Sequence, residues 1–145
     1  NRRYAQLFTS LFRIRKIHKT YLAIVYGKVD KSLKVMKDDL IYYENNKKFF
    51  QKAISNLKII KSNENYSYLE LNPITGRKHQ LRKQLLKIGN PIIGDDKYYL
   101  NDRKRVKIKN LMLHAYKIKF MINDVQYNFK AKYNYPFEDF LKKCF

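Results

Sequence analysis

The central segment of this chain, from Asn72 to Tyr99, reads NPITGRKHQLRKQLLKIGNPIIGDDKYY. Gly76 predicts a turn, and Thr75 is a suitable N-cap for a helix that follows it. Apolar residues then recur at helical spacing on one face, at Leu81, Leu85, Leu86 and Ile88. Gly89 followed by Pro91 predicts the end of the helix. The segment is therefore predicted to run from a turn into a helix and then into a loop.

A cluster of basic and polar side chains follows the turn: Arg77, Lys78, His79, Gln80 and Arg82. The first three are predicted to lie in the first helical turn, where free backbone N–H groups favour an anion. Arginine in such a place indicates a large external anion, such as an RNA phosphate. The alternative is a buried carboxylate from another segment. The adjacent Asp95 and Asp96 lack the further ligands that Mg²⁺ or Ca²⁺ needs, so a helix-capping or loop-fixing role is predicted for them.

The composition of the 145 residues predicts one folded domain with a basic surface. There are 32 Lys and Arg against 12 Asp and Glu, which gives a formal charge of +20. Such a charge attracts polyanions, and nucleic acid is the foremost of these. A membrane surface is the rival, but no apolar run approaches the length of a membrane span. The single cysteine, Cys144, excludes a disulfide framework and fits a cytoplasmic protein.

Residues 19–27 form a short apolar, β-rich run that ends in glycine, and this predicts a buried central strand. Tyr21 is the polar group within it. A tyrosine in a strand is most often part of the core, with its hydroxyl satisfied by a hydrogen bond. A functional role for Tyr21 is the alternative.

The remaining segments predict a mixed α+β fold, with a largely antiparallel sheet and flanking helices. Strands at Ala53–Ile60 and Tyr66–Leu71 are predicted to form a hairpin. A second hairpin turns at Asn123–Asp124, and its alternation predicts one buried and one polar face. Asp30–Lys48 is predicted to be a mobile basic loop with room for one edge strand. Terminal helices are predicted on Tyr4, Leu7, Phe8, Leu11 and Phe12, and on Phe137, Phe140 and Leu141.

Other kinds of site find little support in the sequence. The histidines, His18, His79 and His114, lie far apart with no Cys or carboxylate at ligand spacing, so no metal site is predicted. No glycine-rich phosphate loop, Ser-His-Asp order or Cys-His pattern is present. A basic run that contains Arg103 and Arg105 predicts a solvated or RNA-facing loop.

Four motifs, in order, resemble those of the RluA-type pseudouridine synthases: Lys19-Thr-Tyr-Leu-Ala-Ile-Val-Tyr-Gly27, Thr75-Gly-Arg-Lys-His-Gln-Leu-Arg82, Gly89-Asn-Pro-Ile-Ile-Gly-Asp95 and Leu113-His-Ala115. The resemblance runs from Asn1 to Phe145. It implies an RNA-modifying isomerase that converts uridine to pseudouridine without cofactor or metal. Gly94-Asp-Asp-Lys-Tyr98 and the ending Phe140-Leu-Lys-Lys-Cys-Phe145 resemble the RluC-like branch, which acts on large-subunit ribosomal RNA.

The resemblance also implies roles for individual residues. Arg82 would pair with the catalytic aspartate and keep it ionised. Tyr21 would stack beneath the flipped uracil and could take part in proton transfer, so Tyr21 and Arg82 are expected at one cleft. Gln80 is expected to have a structural role. Arg77 and His79 would fix the turn or contact RNA, and RNA contacts are also expected from Lys78, Arg103 and Arg105.

The family's catalytic aspartate lies in a His-Arg-Leu-Asp motif, and no Arg-Leu-Asp occurs in this sequence. Residues 1–145 are therefore expected to be the C-terminal portion of one catalytic domain, with the aspartate and any S4-type RNA-binding domain upstream. Arg82 would then be an uncompensated cation, neutralised by a bound anion, water, or a carboxylate such as Asp95 or Asp96. On that view Arg82→Met would be neutral or stabilising.

Two functions remain open at this point. The first is a cytoplasmic, monomeric RNA pseudouridine synthase for large-subunit ribosomal RNA, of which this chain alone would be inactive. The second is a non-catalytic basic RNA-binding protein. An in-frame His-Arg-Leu-Asp upstream of Asn1 would distinguish the first from the second.

Overall fold

The computed structural model describes residues 2–4, 6, 14–101, 104–132 and 134–145. In these residues six strands form one antiparallel sheet, in the order β2-β3-β4-β1-β5-β6, with helices packed on it. The predicted α+β class is confirmed. The elements are β1 (Ile14–Tyr26), β2 (Val35–Glu44), β3 (Lys47–Ser62), β4 (Tyr66–Pro73), α1 (Gln80–Lys87), β5 (Leu113–Ile122), β6 (Val125–Lys130) and α2 (Tyr135–Cys144).

The central strand β1 is where the core is deepest, as predicted for residues 19–27. It pairs with β4 on one side and β5 on the other, and residues 22–26 are buried. Helix α1 packs on one face of the sheet through Leu81 and Leu85. Helix α2 packs on the opposite face, where Phe137 and Phe140 contact the rings of β4 tyrosines. Both faces of the central strands are therefore covered, which accounts for the continuous apolar run.

The predicted hairpin between β3 and β4 is confirmed. Asn63 closes it, because its side-chain oxygen accepts hydrogen bonds from the N–H groups of Asn65 and Tyr66. The β5–β6 hairpin is also confirmed, with positive φ at Asn123 and Asp124 (47° and 65°), as a type I′ turn requires.

The prediction that the β5–β6 hairpin buries one face is wrong for the described residues. Val125, Tyr127 and Phe129 are 53%, 39% and 55% exposed. Helix α1 covers the part of the sheet nearer β3 and β4 and does not extend over this end. The rings stack on each other instead, with Phe120 at 5.5 Å from Tyr127 and 5.9 Å from Phe129.

The prediction of a mobile loop over Asp30–Lys48 is wrong for most of this segment. The single edge strand that was allowed for is present, and it is longer than expected. Ten residues of β2 pair with β3 in a long hairpin, and its turn residues Asn45 and Asn46 have φ values of 51° and 62°. The alternation of apolar residues is broken by Asp38, which points toward α1 and pairs with Lys87 at 3.1 Å. This ion pair explains why the strand pattern is hidden in the sequence.

The N-terminal helix predicted from Tyr4 to Phe12 falls largely outside the described residues. Where the structure does describe the chain, no helix combines the length and the apolar character needed to cross a membrane.

Candidate active site

A cavity of about 370 Å³ opens between β1, the loop after β4, and α1. The structure brings Tyr21 and Arg82 together on its lining, as expected, although 61 positions separate them in sequence (82 − 21). Arg77 and His79 line it from the β4–α1 loop, and Lys19 lines it from β1. Among the described lining residues there is no carboxylate. The described lining therefore carries the cations Lys19, Arg77 and Arg82 and no anion.

Tyr21 is half-buried at the wall of this cavity, between Leu71 of β4 and Ala115 of β5. Its hydroxyl makes no hydrogen bond to any of the residues that the structure describes. A core tyrosine normally has its hydroxyl satisfied. Among the described residues nothing occupies this hydroxyl, and Tyr21 lines the cavity where a ligand would bind.

The predicted start of α1 is wrong. His79 has a left-handed backbone conformation, with φ 53° and ψ 30°, so the helix begins at Gln80. Arg77, Lys78 and His79 therefore lie in the preceding loop and not in the first helical turn. Thr75 does not cap the helix, because its hydroxyl donates to the Gln80 side chain at 2.7 Å and accepts from the Ile54 N–H.

Gln80 has the structural role that was expected of it. Its side-chain oxygen accepts from the Arg77 N–H at 3.0 Å, and its amide nitrogen donates to the backbone of Ile54 and to the hydroxyl of Ser55. Ser55 in turn donates to Gln84 at 2.6 Å. These buried amides fix the loop that presents Arg77 and His79 to the cavity.

Arg82 has a partner within the chain. Its Nε and Nη2 donate to the two carboxylate oxygens of Asp95 at 2.8 and 2.6 Å, and the Asp95 side chain is fully buried. Of the neutralising groups considered for Arg82, the structure shows the carboxylate of Asp95, so Arg82 is not an uncompensated cation. The hydrogen bond to Asp95 is the main cause that raises the pKa of Arg82. Burial alone would raise the pKa of Asp95, but hydrogen bonds from Arg82 and from two backbone N–H groups lower it overall.

Asp95 also fixes its own loop, as predicted, by accepting from the N–H groups of Lys97 and Tyr98. Tyr98 is a site residue that sequence reasoning missed. Its ring lies 4.9 Å from the Arg82 guanidinium, and its hydroxyl is 3.0 Å from Nδ1 of His79. The sequence contained no signal for this cluster beyond the nearness of Tyr98 to Asp95.

The other predicted RNA contacts are dispersed. Lys78 is exposed beside the cavity without lining it. Arg105 lies over the ring of Tyr99 at 3.9 Å and lines a second cavity with Asp95. Arg103 lies outside the described residues. Within the described ranges, no group of three or more His, Cys, Asp or Glu side chains could hold a metal ion.

Acidification is expected to destabilise the fold through His79. Burial, with Arg82 and neighbouring lysines, lowers the pKa of His79 below its usual 6.5. The unfolded chain therefore takes up this proton at higher pH than the folded chain, and stability is lost as the pH falls below about 6.5. Between pH 7 and pH 5.5 (about the window of histidine titration), the melting temperature of His79→Gln should fall less than that of the wild type. His18→Gln, at an exposed site on β1, is the control, and equal slopes for all three would refute the prediction.

Comparison with known proteins identifies the family. The family model described as RNA pseudouridylate synthase matches residues 1–87. Ribosomal large subunit pseudouridine synthase C of Rickettsia felis is 34% identical over 148 aligned residues, which cover 92% of this chain and 47% of that protein. tRNA pseudouridine synthase C of Haemophilus ducreyi is 35% identical, over 79% of this chain and 56% of that protein. The chain spans about half the length of these two curated relatives.

The fold is shared with solved structures. Human RNA Pseudouridylate Synthase Domain Containing 1 superimposes with a TM-score of 0.74 at 21% identity, over 97% of this chain and 62% of that one. Human RNA Pseudouridylate Synthase Domain Containing 4 gives a TM-score of 0.72 at 23% identity. The family model covers more than half of the sequence, and the fold built on the six-stranded sheet is shared with both solved structures. The chain belongs to the RNA pseudouridylate synthase family.

Proposed function

We propose that the protein converts uridine to pseudouridine in RNA, and that residues 1–145 are the C-terminal part of its catalytic domain. The observation that carries the proposal is the cationic cavity where Tyr21 and Arg82 meet in a chain of this family. Names of relatives, such as ribosomal large subunit pseudouridine synthase C, support large-subunit ribosomal RNA as the substrate. The protein would act as a monomer in the cytoplasm.

The reaction breaks the bond between uracil N1 and ribose C1′, turns the base, joins C5 to C1′ and releases the C5 proton. It requires a carboxylate, which no described residue supplies at this cavity. We assign it to a segment outside residues 1–145. Asp95 holds Nε and Nη2 of Arg82 and leaves Nη1 for that carboxylate. A cation within about 4–6 Å of a carboxylate lowers its pKa by about 1–3 units, so an aspartate bound at Nη1 would remain ionised.

Tyr21 would form the floor beneath the flipped uracil. The ring supplies a stacking surface, and the free hydroxyl can donate or accept a proton. Arg77 and Lys19 would bind the flanking phosphates, since both line the cavity. A non-catalytic RNA-binding protein remains the second candidate, because the charge of +20 suits either function.

The test uses ribosomal RNA whose uridines carry a labelled hydrogen at C5, and it measures the release of that hydrogen by the full-length protein. Tyr21→Phe keeps the ring and removes the hydroxyl, so we expect a fall in the release rate of about 100-fold or more with little change in RNA affinity. Tyr21→Leu should lose affinity as well, because the stacking surface is gone.

Tyr127→Phe is the matched control, since it removes a hydroxyl from an exposed ring on β6. Wild-type release by Tyr21→Phe would refute the role of the hydroxyl. RNA binding without any C5 release by a full-length protein that contains His-Arg-Leu-Asp would favour the non-catalytic candidate.

A further inference from the structure

The β2–β3 hairpin extends well beyond the rest of the sheet. Pairing between β3 and β4 begins only at Ser55 opposite Pro73, so residues 47–54 pair with β2 alone. At about 3.3 Å per residue this two-stranded part is about 26 Å long, and the loop after β4 holds its base at Lys52 and Ile54. We call its outer part, Ile41–Phe50, the hairpin tip. None of the tip residues is among the buried hydrophobic residues of the core.

Aromatic rings occupy both faces of the hairpin tip. Tyr43 and Phe50 are 71% and 62% exposed on one face, beside the exposed Ile41. Tyr42 and Phe49 stack at 5.3 Å on the other face. A two-stranded tip has no core of its own, so these rings are not placed there for burial. Large exposed apolar groups in a cluster indicate a binding surface.

Lysines lie among these rings. Lys48 is 5.4 Å above the ring of Phe50, and the exposed Lys37 and Lys52 lie on the same face, with Asp39 opposite Lys52. Aromatic rings alternating with cations are suited to single-stranded nucleic acid, because each base stacks on a ring while its phosphate meets a lysine. A protein partner would require a complementary acidic and apolar surface. The excess of cations over the whole chain favours a polyanion.

The base of the hairpin is tied to the cavity. The Arg77 side chain, which lines the cavity, donates from Nε to the Lys52 carbonyl at 2.9 Å. The N–H groups of Ile74 and Thr75 donate to the Ile54 carbonyl. The hairpin tip therefore projects from the end of the sheet where β4 leads into the loop that lines the cavity. It lies within reach of nucleotides that flank a uridine bound there.

We propose that the hairpin tip is a second RNA-binding site, which stacks unpaired nucleotides adjacent to the target uridine on Tyr43 and Phe50. It deepens the proposed function and rests on it for the identity of the RNA. Duplex RNA is not a ligand for these rings, because its bases are already stacked. The protein thereby selects targets that have a single-stranded flank.

The experiment measures the affinity of the full-length protein for single-stranded oligouridine of about 12 nucleotides, and for a duplex of equal length. Tyr43→Thr with Phe50→Thr removes both rings and keeps strand-forming residues. We expect affinity for the single strand to fall about tenfold or more at every salt concentration, with duplex affinity unchanged. Lys48→Gln with Lys52→Gln should instead reduce the slope of log K against log salt, by about 0.7 per lysine.

Tyr127→Thr with Phe129→Thr is the matched control, because it removes two exposed rings from the far end of the sheet. An equal loss in this control, or no loss in the Tyr43 and Phe50 variant, overturns the proposal. So does self-association of the wild type that the hairpin variant abolishes, since the occupant would then be a second copy. Binding needs no turnover, so failure of the wild type to release the C5 hydrogen would count against the proposed function alone.

Discussion

Arg82→Met should lower the free energy of unfolding of this chain by about 3 kcal/mol, because it strands a buried carboxylate. The Asp95 side chain is fully buried and the Arg82 side chain is only 17% exposed. Methionine keeps the packing of the arginine stem but offers no donor to Asp95. The sign is opposite to that expected for an unpaired cation, and thermal or denaturant unfolding measures it directly.

Lys143→Met is the matched control, since it breaks the ion pair with Asp139, in which the two side chains are 70% and 44% exposed. Such a pair contributes about 0–1 kcal/mol. Arg82→Met combined with Asp95→Asn should recover part of the loss, because the remaining buried group is neutral. Similar melting temperatures for Arg82→Met and Lys143→Met would show that Asp95 is hydrated or paired elsewhere when Arg82 is absent.

In the full-length protein, Arg82→Met should also nearly abolish C5 release at temperatures where the variant is still folded. The proposed catalytic aspartate would lose the cation that keeps it ionised, and its pKa would rise. A folded Arg82→Met variant with wild-type release would remove Arg82 from the catalytic assignment and leave it as a partner of Asp95 alone.

The sequence was most informative where local signals act within a few residues. The apolar run at residues 22–26 predicted the central strand, and Asn123–Asp124 predicted a two-residue turn, because each depends on short-range patterns. The meeting of Tyr21 with Arg82 was expected from the resemblance of motifs. Spacing alone does not bring two remote segments to one cavity.

Three features could not be predicted from these patterns, and each depends on tertiary contacts. His79 adopts a left-handed conformation, and the helix therefore begins only at Gln80. The Gln80 side chain holds the preceding loop by accepting a hydrogen bond from the Arg77 N–H. Asp38 replaces an apolar residue inside β2 because Lys87 of α1 neutralises it. Asp95 was one of several groups considered for Arg82, and the choice among them depends on the fold, because Asp95 lies thirteen residues later and beyond a glycine turn. A propensity scale assigns residues one by one and contains none of these pairings.

Gly94→Ala should be the most damaging change in the loop that carries Asp95. Gly94 has φ +84°, and a Cβ there would lie 2.0 Å from the backbone oxygen of Asn110. That segment cannot easily retreat, because the Met112 N–H donates to the Ile93 carbonyl at 2.8 Å, and the Ile93 N–H donates to Ile24 of the central strand. We expect a loss of about 3–5 kcal/mol, from left-handed strain and overpacking together.

Gly89→Ala separates the two contributions. Its φ is +85°, nearly the same as at Gly94, but a Cβ at Gly89 meets no atom within 4 Å. It should therefore show the left-handed strain alone, about 1–2 kcal/mol. Because Asp95 follows Gly94 directly, strain at position 94 should also break the ion pair between Asp95 and Arg82. The loss of unfolding free energy in the Gly94→Ala, Arg82→Met double variant should therefore be smaller than the sum of the two single losses. Equal melting temperatures for the two alanine variants would mean that the backbone around Asn110 moves to accommodate the new Cβ. The contact between Gly94 and Asn110 would then not be what holds Asp95 in place.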